Sequence, residues 1–292
     1  MFRMMSHAAL LALALATALG CGSDSAGTSP GTVSVSIWGE DYIADRIPPV
    51  MGAEAGIEDG WSVRYTRFLV TLGDFTVAAA DGTAGGALAP MRVYDLKTTV
   101  TPFVVGRITN VPSRRMDRVS YRIAPATAAT TLGNATAADL TLMQTGGFGI
   151  YVEGEGSRMG TTVRFRWGFT QGITYAPCSN ADESLGLAVP SGGNVDAQIT
   201  VHGDHFFYDD LQSESARLRF QAIADADVAP VGNGDGTVTL EELARVDLTT
   251  LPSTQYGGGD MGRVRTLRDF VTAISATVGH FNGEGHCQER VQ

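Results

Sequence analysis

The run Asn233-Gly234-Asp235-Gly236-Thr237-Val238-Thr239-Leu240-Glu241-Glu242-Leu243 sets oxygen-bearing side chains at short intervals around two glycines. Such a run suits a hard cation, since calcium is held by six to eight oxygens in a flexible cage. A second group with ligand chemistry is His202-Gly203-Asp204-His205. On a strand that continues past residue 202, His202 and Asp204 project from one face, a workable pair of zinc or copper ligands. His280 and His286 lie near the chain's end, and His286 adjoins Cys287. The plainer reading of the histidines is local hydrogen bonding, with Asp209 and Asp210 capping a following helix.

The first run is similar to the second half of an EF-hand calcium loop with its exiting helix, over roughly residues 214–246. The resemblance implies a ligand order counted back from Glu242 as the bidentate twelfth position. Thr239 is then the ninth, Thr237 gives its carbonyl at the seventh, Gly236 makes the turn at the sixth, Asp235 is the fifth and Asn233 the third. Val238 stands at the eighth, an aliphatic position through which such loops pair, but no second loop is present in the sequence. The chain departs from the pattern at the first position, which falls on Val231. Asp227, at the end of the incoming helix, repairs the set if residues 228–232 carry a four-residue insertion, for which Pro230 and Gly232 are suited. The expected calcium ligands are therefore Asp227, Asn233, Asp235, Thr237, Thr239 and Glu242. The alternative is a zinc or copper site built from His202, Asp204, His205, His280 and His286.

The setting is an exported one. Arg3 precedes an apolar run, residues 8–19, too short for a permanent span. Ala18-Leu19-Gly20-Cys21 resembles a bacterial lipobox. The resemblance implies cleavage of residues 1–20, acylation of Cys21 by palmitate-type chains, and, with Gly22 after the cysteine, the outer membrane. Residues 21–31 are polar and small, a flexible tether. Cys178 and Cys287 remain, and an oxidising compartment favours a disulfide between them. Closing about 110 residues, it is worth roughly 4–5 kcal/mol in the chain-entropy model.

A formal net charge of −10 excludes nucleic acid as a partner and leaves the membrane to the lipid anchor. Lys97 is the sole lysine, which removes nearly every option for lysine catalysis, Schiff bases or a Walker-type loop. Residues 27–31 fit G-x-S-x-G, but they sit in the tether rather than between a strand and a helix. Residues 154–160 read as a hairpin turn rather than a phosphate loop. No residue set singles out a catalytic site, and the chain reads as a binding or structural module. An envelope protein or a saccharide is the expected partner.

The elements that must position these residues are mostly strands. Residues 33–38 alternate with period two, and so do 162–169, with Val163, Phe165, Trp167 and Phe169 on one face. Further strand candidates are 61–72, 75–79, 91–96, 103–108, 118–123, 140–143, 149–153 and 197–202, with glycine turns between them. Helix is expected over 213–226, after the N-cap Thr239, and along Val264, Leu267, Val271, Ile274 and Val278. The expected fold is mainly β: an antiparallel β-sandwich over 32–210, followed by a small helical EF-hand-like segment over 211–292.

Overall fold

The computed structural model describes residues 29–52, 55–213, 215–257 and 262–292. The leader, Cys21 and most of the tether lie outside the described residues. In chain order the principal strands are β1 (Gly31–Gly39), β2 (Ser62–Ala78), β3 (Phe103–Val111), β4 (Arg118–Ile123), β5 (Ile150–Arg158), β6 (Thr161–Phe169), β7 (Ile173–Cys178), β8 (Asn194–Val201), β9 (Thr237–Thr239), β10 (Gly279–Phe281) and β11 (Cys287–Val291). Besides a single turn at Asp41–Ala44, the helices among the described residues are α1 (Ala137–Gly146), α2 (Gln221–Asp225), α3 (Leu240–Leu243) and α4 (Leu267–Ile274). Among the described residues no helix is long and apolar enough to cross a membrane.

The protein is mainly β. A ten-stranded sheet runs β9-β6-β5-β2-β4-β7-β11 along its main path, and a four-stranded sheet runs β10-β8-β1-β3. Alternation builds both. On β6, Phe165, Trp167 and Phe169 are buried while Arg164 and Arg166 face solvent. On β1, Val33, Val35 and Ile37 are buried, and they meet Val63, Phe165 and Trp167 of the larger sheet in one core. The segment after residue 210 is not a helical appendage. It supplies β9 and β11, the two ends of the larger sheet's path, and β10, an edge of the smaller.

Pairing is mixed rather than wholly antiparallel. β1 and β8 are parallel, with Val35 opposite Ala197 and Ile37 opposite Ile199. β6 and β9 are parallel as well. Parallel strands need a long crossover. Here most of the larger sheet, rather than a helix, forms the connection from β1 to β8, so the crossover leaves no helical pattern.

Residues 140–143 are helix, not strand. They lie inside α1, which opens on a capping box between Thr136 and Asp139 and closes at Gly147 in the left-handed conformation, φ 60°. The helix expected over 213–226 shrinks to α2. Leu218 forms bridges to Ile57 and Tyr208. Arg219 donates its N–H to the Phe207 carbonyl at 2.7 Å, holding that stretch extended. α2 starts where the Asp59 carboxylate accepts the N–H groups of Phe220 and Gln221, at 2.9 and 2.7 Å. Val264 and Val278 lie outside α4, which begins at Leu267 after the N-cap Thr266, with Asp269 completing the capping box from within the helix.

The 154–160 turn is displaced too. Gly154 and Gly156 lie within β5, and the chain reverses at Met159 and Gly160, both at positive φ. A Cβ at Gly154 would overlap the Phe165 ring, and one at Gly156 the Phe220 ring. These glycines exist for close packing rather than for turning.

Candidate metal centres

The loop after α2 begins with Asp227, which is only 7% exposed. Its Oδ2 accepts the Gly236 N–H at 3.0 Å, and its carbonyl accepts the Gly234 N–H at 2.8 Å. Its Oδ1 is buried with no hydrogen-bond partner. Residues 228–232 fold out as a compact turn, with the N–H groups of Val231 and Gly232 both given to the Val228 carbonyl at 3.1 Å. Val231 itself packs against the core, and its carbonyl accepts from Arg245 Nη1 at 2.9 Å.

Beyond the turn, short polar side chains organise the backbone. Asn233 Oδ1 accepts the Asp235 N–H and Asp235 Oδ1 accepts the Thr237 N–H, both at 2.9 Å. Gly234 and Gly236 hold φ of 72° and 83°, which any Cβ would strain. Thr237 and Thr239 flank Val238 on β9. Glu242 is buried. Its Oε2 accepts the Thr239 N–H at 2.8 Å in a capping box, and its Oε1 accepts the Asn233 N–H at 3.2 Å. The loop is thus formed around Asp227, with Glu242 turned to cap α3. The carboxylates of Asp227, Asp235 and Glu242 are not drawn within 4.8 Å of one another.

The histidines of the other candidate converge from separate parts of the chain. His202 follows β8, and Asp204 and His205 begin a 3-10 turn over Asp204–Phe207. Two aromatics anchor that turn in the core. Phe206 stacks on Phe169 at 5.3 Å, and Phe207 lies 5.8 Å from Phe165 between ring centroids. Each such burial is worth about 1.5–3 kcal/mol. His280 lies on β10 opposite Thr200 of β8. The Cys178–Cys287 disulfide ties β11 to β7 and brings His286 alongside, with the Ser179 N–H on the His286 carbonyl at 2.8 Å. Ring centroids lie 4.0 Å apart for His202 and His280, 5.2 Å for His202 and His205, and 5.0 Å for His280 and His286.

The electrostatics follow from burial and one carboxylate. Burial favours neutral His202, but Glu40 Oε2, 3.0 Å from its Nδ1, outweighs this and lifts its pKa above the ordinary value. Burial, with the neighbouring His202, pushes His205 down to about 3. Burial and the other three histidines push His280 down to about 2. Burial raises Asp204, against the pull of His202.

Two groups place one ligand atom per residue within 4.8 Å of one another: His202, Asp204 and His205, and His202, His280 and Glu284. The sequence set of five is therefore brought together, apart from His286, which stands at its edge. Glu40 and Glu284 escaped sequence reasoning. Glu284 carried a signal, its place between Gly283 and Gly285 beside His280 and His286, whereas Glu40 carried none. Asp209 and Asp210 do not cap a helix. Asp209 Oδ1 takes the Arg217 N–H at 2.8 Å, and Asp210 Oδ1 takes those of Gln212 and Ser213.

No protein-family model, curated protein or solved structure matches this chain.

Proposed function

We propose that this chain is an exported, lipid-anchored protein of the cell envelope whose 227–242 loop binds calcium and fastens the C-terminal segment to a sandwich-like β body. The observation that carries the reading is Asp227. The sequence pattern lacks an oxygen at Val231, and a nine-tenths buried carboxylate stands four residues earlier. It is bonded to the turn glycine Gly236 and keeps Oδ1 free for an ion. An unpaired buried carboxylate oxygen is costly unless a cation answers it.

Calcium would recruit Asn233, Asp235, the Thr237 carbonyl and Glu242. Glu242 must then exchange its capping bonds for the ion, a cap being worth about 0.5–2 kcal/mol. That exchange favours the weak range of extracellular modules, roughly 10⁻⁴–10⁻³ M. At an ion concentration ten times the Kd, linkage stabilises the fold by about 1.4 kcal/mol. The anchor at Cys21 rests on its lipobox resemblance, and mass spectrometry of the purified protein tests it.

Calorimetry with calcium tests the loop. Asp227→Ala and Asp235→Ala should each abolish the heat of binding. Undiminished binding in both variants would remove the assignment.

A further inference from the structure

We infer that the protein carries a second, chemically different cation site: a single divalent transition-metal ion, zinc or copper(II), held on His202, Asp204 and His205, with His280 and Glu284 beside it on the same His202.

The argument begins with protons. His202 Nδ1 lies 3.0 Å from Glu40 Oε2, so that nitrogen carries a hydrogen. Its Nε2 is buried and has no partner. His205 Nδ1 lies 2.8 Å from Thr277 Oγ1. The Thr277 hydroxyl already donates to the Ile274 carbonyl at 2.9 Å, so it must accept from His205. In the neutral ring the His205 lone pair is therefore on Nε2. His280 Nδ1 is buried and unpartnered. Asp204 keeps Oδ1 buried and unpartnered, while its Oδ2 accepts from the Tyr208 hydroxyl at 3.2 Å.

Unpartnered buried polar atoms thus stand on His202 and on a neighbour from each group around it, Asp204 and His280. A buried polar atom left unpaired is destabilising, because it loses its water without gaining a partner. Native folds leave few, and a group of them facing one another marks a missing partner. No hydrogen bond joins the rings of His202, His205 and His280 to one another, so local pairing does not discharge the cost.

The donor set selects the partner. Imidazole nitrogens with one or two carboxylates suit zinc and copper(II). Calcium takes oxygen ligands, so this site does not duplicate the 227–242 loop. Copper(I) prefers sulfur, and the nearby Cys178 and Cys287 are joined to each other. Glu40 and Thr277 hold the outer nitrogens of two ligand rings, the arrangement that fixes tautomer and orientation at metal sites. His205, His280, Glu284 and His286 line a cavity of about 490 Å³, which gives an ion its route to the ligands.

The test uses the full mature chain. After chelator treatment and its removal, the protein is titrated with zinc chloride, copper(II) chloride and calcium chloride. Zinc and copper(II) should each bind at one equivalent per chain, and the copper(II) electron paramagnetic resonance spectrum should show coupling to at least two nitrogens. His202→Ala should weaken zinc at least 100-fold. Glu40→Gln, which removes no ligand, should weaken it about 10–100-fold and change the copper spectrum. Asp235→Ala should leave zinc binding intact. Absence of micromolar binding of both metals would overturn the inference, as would a copper spectrum with fewer than two nitrogens. Should His202→Ala not fold, the wild-type spectrum and Glu40→Gln decide the matter alone. Calcium binding lost in Asp227→Ala with zinc retained would show that the two sites stand independently.

Discussion

Val238 lies directly opposite Phe165, in parallel register between β9 and β6, and both side chains are buried. The pairing fixes the end of the 227–242 loop to a strand of the larger sheet, with the Arg164 N–H given to the Gly236 carbonyl at 2.9 Å. Val238→Asp would bury an unpaired charge at this seam, at a cost of several kcal/mol. It should lower the thermal midpoint and weaken calcium binding together, whereas Val238→Ile should leave both within a small change. Calorimetry and thermal melts of the two variants check this.

Gly156 is the point where β5 passes beneath Phe220, next to the start of α2. A methyl group there has no room. Gly156→Ala should destabilise by about 1–3 kcal/mol through overpacking. Urea denaturation measures it. A midpoint equal to wild type would show that the ring moves aside at no cost.

Sequence pattern made the β1 and β6 faces legible because alternation there is complete, from Val33 to Ile37 and from Val163 to Phe169. It also pointed to Asp227, the carboxylate nearest the missing first oxygen, and the structure buries that side chain. The helix at α1 was hidden by an apolar stretch, Leu140 to Met143, too short to distinguish period two from 3.6. The Thr136–Asp139 capping box was its only local sign. Leu218 was hidden for the opposite reason. Its surroundings favour helix, and long-range bridges to Ile57 and Tyr208 override them. At the histidine cluster the ligand types were visible. Glu40 was not, since its approach to His202 depends on the parallel β1–β8 pairing, which no local pattern encodes.

The Cys178–Cys287 disulfide carries the strand that follows His286 and so stabilises both the fold and the histidine cluster. Its sequence separation is 109 residues. Replacing both cysteines with serine should cost about 4–5 kcal/mol by chain entropy. The same change loosens the turn between β10 and β11, which bears Glu284 and follows His280, so zinc affinity should fall as well. A lowered melting temperature with zinc affinity unchanged would show that the Asn282 side chain, which donates to Asn180 Oδ1 at 2.7 Å, suffices to hold the turn.

In the ion-free protein the histidines should also set the acid limit of stability. His205 and His280 are held neutral in the fold, at about 3 and about 2, chiefly by burial. Unfolded, each titrates near 6.5. Between those values the unfolded chain binds more protons, so both residues withdraw stability as pH falls below about 6.5. Asp204 acts oppositely, since its raised pKa lets the fold take up a proton first. The raised pKa of His202 also favours the fold as pH falls, but that contribution is complete by about pH 6.5. Two depressed histidines against one raised carboxyl give a net loss on acidification. His205→Gln with His280→Gln should therefore show a shallower fall in urea midpoint from pH 7 to pH 5 than wild type, both measured in chelator. A fall as steep as that of wild type would show that these two rings do not govern the acid response.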